Sequence, residues 1–526
     1  MPGAPYWKPS HNPWAVAMTV TLATFMEVLD TSIANVALPH IAGSMGADRN
    51  ESTWILTSYL VSNAIVLPIS AWLSRVIGRK RFYMTCVAIF GASSFLCGLA
   101  PTLGFLVLFR ILQGIGGGGL QPSEQAILAD TFPPQQRGMA FAVYGMAVVI
   151  APAIGPTVGG WITDNYAWRW IFYINVPIAI VSLFLSNRLV EDPPYVKEER
   201  ARHINPKVDW TGLTLLVLGV ACLQLVLDKG QEEDWFSSRT ITIALSVGIA
   251  CLASWFAWEW RHRDPIVDVR MFQRRNFATA MLFTFSLGMV LFGTTVIIPQ
   301  FLQLQLGYSA INAGEALAGG GLAMLVMMPV AGFLVTKMDP RLMMSCGFAV
   351  TAGSMYYMTT HLALNMDFRT AALLRTIQAL GLPLIFLPSN TLAYYGVPRE
   401  KNNQLAAMNS FVRNIGGSIG IASISTMITR FTQKHQNILV EHAYPGNKAF
   451  DDMVNGLAQS IMNTGVGAAE AMQQAYARVM GLILQQATTL AYVEVVSLMA
   501  LVVFCLLPLP FLMRRPPRQM TPPPAH

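Results

Sequence analysis

Apolar runs of eighteen or more residues recur along nearly the whole chain. Each is long enough to cross a hydrocarbon core of about 30 Å as a helix rising 1.5 Å per residue. Fourteen can be counted, near residues 14–38, 53–74, 83–101, 104–128, 139–163, 168–188, 209–228, 239–260, 276–304, 312–336, 342–362, 369–396, 403–429 and 486–513. The run from 403 is the least apolar. With a mean hydropathy of +0.46 and only 12% charged residues, the chain reads as an all-α integral membrane protein rather than a globular domain.

The net charge of +7 would suit a nucleic-acid binder, but its distribution follows the membrane. If the N-terminus is cytoplasmic, 23 of the 35 Lys and Arg fall in inner segments and nine in outer ones; Arg110, Arg375 and Arg413 lie within runs. The positive-inside rule then places both termini in the cytoplasm and supports an even number of crossings. All six cysteines fall inside apolar runs, where they act as small apolar residues, so no disulfide framework is expected. The first run lacks the n-region, short core and cleavage site of a signal peptide and reads as a retained span. Tyr6, Trp7 and Trp14 read as interfacial anchors.

Asp30 sits about sixteen residues into the first run, in the string LDTSIANVALP, one helical turn after Glu27. An ionised Asp at that depth costs about 2.5–3.5 kcal/mol on insertion scales, so it is expected to face a cavity, a partner charge or a proton path. A purely structural role, bonding to Thr31 or Asn35, is the plainer alternative. The fourth run carries Arg110, Gln113, Gly117, Gln121 and Glu124 at helical spacing, so all project from one face, which cannot point at lipid. That face is either the wall of a central cavity, with Arg110 tuning a carboxylate, or a tie between helices. Depth permits Arg110 to pair with Asp30, and a cation within about 4–6 Å would hold the Asp ionised. In the fifth run Ala151, Gly155 and Gly159 lie four apart beside Pro152, Pro156 and Gly160, a kinked surface that lets another helix approach closely. Glu315 and Glu494 are further acids that either titrate or end as solvated or packing contacts, and Arg413 with Asn414 reads as a helix tie, with a direct transport role as the alternative.

An internal repeat is visible. RILQG at 110–114 has a counterpart in RTIQALG at 375–381, offset by 265, and AWLSRVIGRKR at 71–81 one in GFLVTKMDPRL at 332–342, offset by 261. We expect two related six-helix bundles, residues 1–190 and 276–513, with two inserted transmembrane helices in 191–275 and a cytoplasmic tail at 514–526. Such halves rock about a site near the bilayer midplane. No GxxxxGK[ST] loop, CxxC or HExxH spacing appears, so no nucleotide, metal or other cofactor is expected. The energy source is then an ion gradient; one charge crossing 100 mV is worth about 2.3 kcal/mol.

LDTSIANVALP, GRKR at 78–81, RILQGIGGGG, GPTVGG at 155–160, WIFYINVPI at 170–178, DPIVD at 264–268 and RNIGGSIG at 413–420 together resemble the drug:proton antiporters of the major facilitator superfamily, EmrB/QacA type. The resemblance covers the whole chain. It implies the major facilitator fold in a bacterial inner membrane and proton-driven multidrug efflux. Asp30, Glu27 and Arg110 would couple the proton. Glu124, Glu315, Gln113, Gln121, Tyr59 and Tyr144 would face substrate, and Phe292 and Met324 would add to a broad aromatic and Met lining. Gly155, Pro156, Gly159, Gly160, Gly78, Arg79 and Arg413 would serve gating and packing. In this family the GP and GG pair marks antiporters rather than symporters. One departure is the loop after the second run, where the superfamily usually has an Asp at Arg75 and a Gly at Ala71, so an Asp-locked inner gate does not carry over. EmrB-type pumps work with a periplasmic adaptor of EmrA type and an outer-membrane channel of TolC type. The long outer segment 430–485, with an amphipathic helix at 468–486, is either a docking element for such an adaptor or a cap over the outer mouth. A nutrient:proton symporter and an intramembrane enzyme remain as rival classes; His361, the only His in a run, sits near an outer end.

Overall fold

The computed structural model describes residue 7 and residues 9–133, 135–202, 209–262, 265–394 and 397–513. Tyr6, Asp264 and the expected tail 514–526 lie outside the described residues. Eighteen α-helices follow one another without a strand among those residues: α1 Pro13–Met45, α2 Arg49–Ile77, α3 Arg79–Leu99, α4 Leu103–Gly117, α5 Leu120–Thr131, α6 Arg137–Asn165, α7 Trp170–Tyr173, α8 Asn175–Leu189, α9 Pro194–Arg202, α10 Trp210–Lys229, α11 Arg239–Arg261, α12 Arg275–Leu304, α13 Ala310–Lys337, α14 Pro340–Thr359, α15 Phe368–Ala393, α16 Asn402–Val440, α17 Lys448–Met462 and α18 Ala468–Leu506.

Local chemistry sets the helix ends. Asn12 caps α1 by accepting from the Trp14 amide, Pro13 occupies the first turn, and Gly46 ends the helix in the left-handed region at φ +62°. Asp48 and Glu51 form a reciprocal capping box at the start of α2. Gly78, buried and at φ +95°, turns the chain directly from α2 into α3. The run expected at 104–128 breaks into α4 and α5 around Gly118 and Gly119. A Cβ on Gly118 would sit 2.6 Å from the Asn63 carbonyl, and one on Gly119 2.3 Å from Cys86 Sγ, so the glycines let this element wedge between α2 and α3.

Eleven helices are long and apolar enough to cross a membrane, or twelve if α6, bent by 41° at Pro152, counts as one span; this holds among the described residues. Helices do cover all fourteen expected runs, but α14 and α16 are outside that set. The reason is visible in α16: it carries Asn402, Asn403, Asn409, Ser410 and Arg413, all buried against protein rather than lipid. The long segment after the thirteenth run also departs from expectation. α16 continues to Val440, and the stretch 468–486 is not a separate surface helix but the first half of α18, with α17 packed on it through Val454, Ala458, Ile461, Ala471, Ala475 and Val479.

The glycine stripe of α6 receives α1. A Cβ on Gly155 would meet Ser32 Oγ at 2.3 Å, and one on Gly159 would press on Ile33 at 3.2 Å. The second repeat uses the same device. Gly416 and Gly420 of α16 lie against Phe285 and Met289 of α12, where added Cβ atoms would reach 2.3 and 2.7 Å from their carbonyls. On its other side α6 faces α13, with Gly138 against Val335 and Gly314 against Pro156 and Thr157. α10 joins both repeats: its Asp228 accepts from Thr57 of α2, and Gln224 exchanges hydrogen bonds with Ser418 of α16 at 3.1 Å.

Gly114 seats α4 on α2, with an added Cβ only 2.0 Å from Ser62 Oγ and 2.5 Å from the Tyr59 carbonyl. Gly114→Ala is expected to push the two helices apart at a cost of about 1–3 kcal/mol. A lower Tm of the purified protein in detergent checks this; an unchanged Tm would mean the contact is not tight in solution.

Candidate functional site

Three buried polar clusters lie along the axis of the molecule. The first is built on Asp30, at the middle of α1 and 2% exposed. Its Oδ2 accepts from Arg110 Nη1 at 2.6 Å, and its Oδ1 accepts from Gln113 Nε2 at 2.9 Å and Asn175 Nδ2 at 2.7 Å. Arg110, fully buried, also donates to the Ile55 carbonyl and to Gln113 Oε1, and its guanidinium lies 4.3 Å from the centre of the Tyr59 ring. Every neighbour of the carboxylate is a donor, so this arrangement suits the ionised acid. Thr31 and Asn35, offered above as structural partners, bond instead to backbone carbonyls of their own helix. The donors come from α4 and α8, so three helices meet at this carboxylate.

The second cluster holds the acids Glu27 and Glu124 and joins the two repeats. Glu27 Oε1 accepts from Asn63 at 3.1 Å and Glu124 Oε1 from Thr21 at 2.6 Å, while the second oxygen of each carboxyl has no partner among the described residues. Beside them Gln121 and Tyr144 accept from Arg413 Nη2 at 2.5 and 2.6 Å. Gln125 donates to Ser410 at 2.8 Å and accepts from Asn409 at 2.9 Å. Arg413 is thus more than a tie within its own bundle, since its guanidinium crosses to α5 and α6.

The third cluster lies where α2 turns into α3 and α5 ends. Arg79, 1% exposed at the first turn of α3, pairs with Asp130 at the end of α5 and donates to the Tyr195 hydroxyl at 2.8 Å. Burial pushes the Tyr195 hydroxyl well above its ordinary pKa, so it remains a proton donor to Asp130. The other Asp130 oxygen accepts from Asn402 of α16 at 2.7 Å. An acid therefore does serve this cluster, but it is Asp130 rather than a residue at position 75; Arg75 reaches the Pro265 carbonyl at 3.4 Å.

Of the residues singled out from the sequence, Asp30, Arg110, Gln113 and Tyr59 come together in the first cluster, and Glu27, Glu124, Gln121, Tyr144 and Arg413 in the second. Glu315 is exposed near the start of α13 and joins neither, and Glu494 pairs with Lys434 at 3.1 Å and His435 at 2.8 Å near the outer part of α16. Phe292 lines a cavity of about 30 Å³ between the repeats, with Pro152, Leu291, Leu317 and Gly320 around it. That volume is far below the 300–1,000 Å³ of a drug-sized site, so this conformation holds no open pocket at that point. Sequence reasoning missed Asn63, Gln125, Asp130, Asn175, Asn402 and Asn409. For Asn402 and Asn409 a signal existed, since they share a face with Arg413 at helical spacing.

A family profile described as the Major Facilitator Superfamily matches residues 20–421. The chain is 38% identical over 432 residues to the multidrug export protein EmrB of Haemophilus influenzae, covering 82% of this chain and 84% of that one. It is 36% identical over 475 residues to the EmrB multidrug export protein of Escherichia coli K12, covering 87% and 92%. Among solved structures it is similar to the proton:xylose symporter XylE, at 14% identity with a TM-score of 0.58 over 94% of this chain and 96% of that one. This last likeness shows the fold alone.

Proposed function

Since the chain belongs to the major facilitator superfamily of transporters, we propose that it exports lipophilic small molecules across the bacterial inner membrane in exchange for protons. It is a multi-pass membrane protein. In this reading fourteen helices cross the bilayer with both termini in the cytoplasm, and the two repeats rock about the Glu27, Glu124 and Arg413 cluster. The observation that carries it is the Asp30 cluster: a carboxylate at mid-membrane whose charge is held by donors from two other helices. When those helices shift, the acid takes a proton; when they return, it releases one. Export of many chemically different compounds is supported by the EmrB relatives.

The reading extends to a tripartite assembly with a periplasmic adaptor of EmrA type and an outer-membrane channel of TolC type. The extended ends of α16 and α18, with α17 packed on α18, would supply the surface on which an adaptor docks.

The test of the proton drive is ethidium uptake into inverted vesicles containing the protein. Accumulation is expected only while the vesicle interior is acidic or positive, and collapse when a protonophore is added. Accumulation that ignores the protonophore would end the antiporter reading.

A further inference from the structure

The 265-residue offset that relates Arg110 and Gln113 to Arg375 and Gln378 carries Asp30 to Thr295. The side chains repeat as faithfully as the sequence. Arg375 Nη1 donates to Gln378 Oε1 at 2.8 Å, as Arg110 Nη1 does to Gln113 at 2.8 Å. The difference lies in the acceptor. Where Arg110 and Gln113 both grip the Asp30 carboxylate, Arg375 meets only the hydroxyls of Thr294 at 3.2 Å and Thr295 at 3.4 Å. Gln378 Nε2, the atom equivalent to the one on Asp30, is buried with no acceptor among the described residues. No ion pair to Arg375 forms among those residues either, although its side chain is 6% exposed.

A second substitution between the repeats opens the same place. The 261-residue offset carries Tyr59, whose ring covers the Arg110 guanidinium, to Gly320. Gly320 has nothing to lay over Arg375, and the 30 Å³ cavity between the repeats reaches Arg375 and Thr295 there. Around it Val148, Pro152, Leu291, Phe292 and Leu317 are apolar. The space matches about one water's share of liquid volume, enough for the head of a ligand; its body needs the repeats to part.

We infer that Arg375, Gln378 and Thr295 bind the carboxylate of a lipophilic organic acid, whose apolar body lies between α6, α12 and α13. An unpaired guanidinium in a membrane interior is costly unless it has a task, and the first repeat demonstrates that this donor set grips a carboxylate. The acid being cargo rests on the exporter reading; its binding does not.

The probes are 1-pyrenebutyrate and 1-pyrenebutanol, which share a body and differ in the carboxylate. Fluorescence anisotropy with the purified full-length protein near pH 7, where the acid is ionised, gives a Kd for each. The wild type is expected to bind the acid about tenfold more tightly than the alcohol. Arg375→Met is expected to lose that preference. Thr295→Asp, which offers Arg375 a carboxylate from the chain as Asp30 does for Arg110, is expected to fold and to lose it too. Equal affinity of the wild type for both probes, or a preference that survives in Thr295→Asp, overturns the inference. Vesicles that fail to accumulate dye under a gradient would sink the exporter reading separately, and the Kd ratio decides the carboxylate site in either case.

Discussion

Asp30→Asn is expected to reduce gradient-driven ethidium accumulation in inverted vesicles to the level of vesicles without the protein. The asparagine fills nearly the same space but cannot change charge. It also turns one of the two oxygens into a donor, facing Arg110, Gln113 and Asn175, which are themselves donors. With no change of charge at position 30, the free energy of about 2.3 kcal/mol per charge and 100 mV has no handle on the proposed exchange through this residue. Anisotropy of ethidium with the purified variant separates lost coupling from lost folding, and Asp30→Glu, which keeps the charge, is expected to retain part of the transport. Normal pumping by Asp30→Asn would pass the coupling role to Glu27, the other acid on α1.

The second large effect is expected at the Arg79 and Asp130 cluster. Asp130→Ala leaves the buried Arg79 guanidinium without its counter-charge, a loss that typically costs about 3–5 kcal/mol. It also removes the acceptor for Asn402 of the second repeat. We expect a marked fall in Tm in detergent. The double variant Asp130→Leu with Arg79→Met, which removes both charges together, is expected to recover much of it. A double variant as unstable as Asp130→Ala alone would show that the packing of these side chains, not their charge, holds the site.

Much of this site was readable because charge on an apolar background is conspicuous. Asp30 and Arg110 stand out in runs that each hold only one other charged residue, Glu27 and Glu124, and helical spacing alone aligned Arg110, Gln113, Gln121 and Glu124. Single amides are harder. Asn175 and Asn63 each interrupt an apolar run once, and nothing in their spacing says that one reaches Asp30 and the other Glu27. Asp130 lies at a run's end, where an acid is ordinarily solvated, and only the folded packing of α3, α9 and α16 encloses it. The helix α16 shows a limit of a hydropathy scale: a helix with a face buried among protein has no need to be oily on every side. The continuity of α18 through residue 486 was hidden by the amphipathic pattern of its first half, which arises because α17 covers one side of it.

The ties that bridge the two repeats beside the acids have a common character. Gln125 meets Asn409 and Ser410, Arg413 meets Gln121 and Tyr144, and Asp130 meets Asn402. Each of these ties has an amide or a hydroxyl on at least one side. Water can replace each partner as the seam opens, so a link yields about 0.5–1.5 kcal/mol net, or 1.5–3 kcal/mol where one partner is charged. On the proposed exchange, a few protons descending the membrane potential at about 2.3 kcal/mol per charge and 100 mV would supply energy of the order these ties hold, so the fastening would be weak enough for that drive to undo.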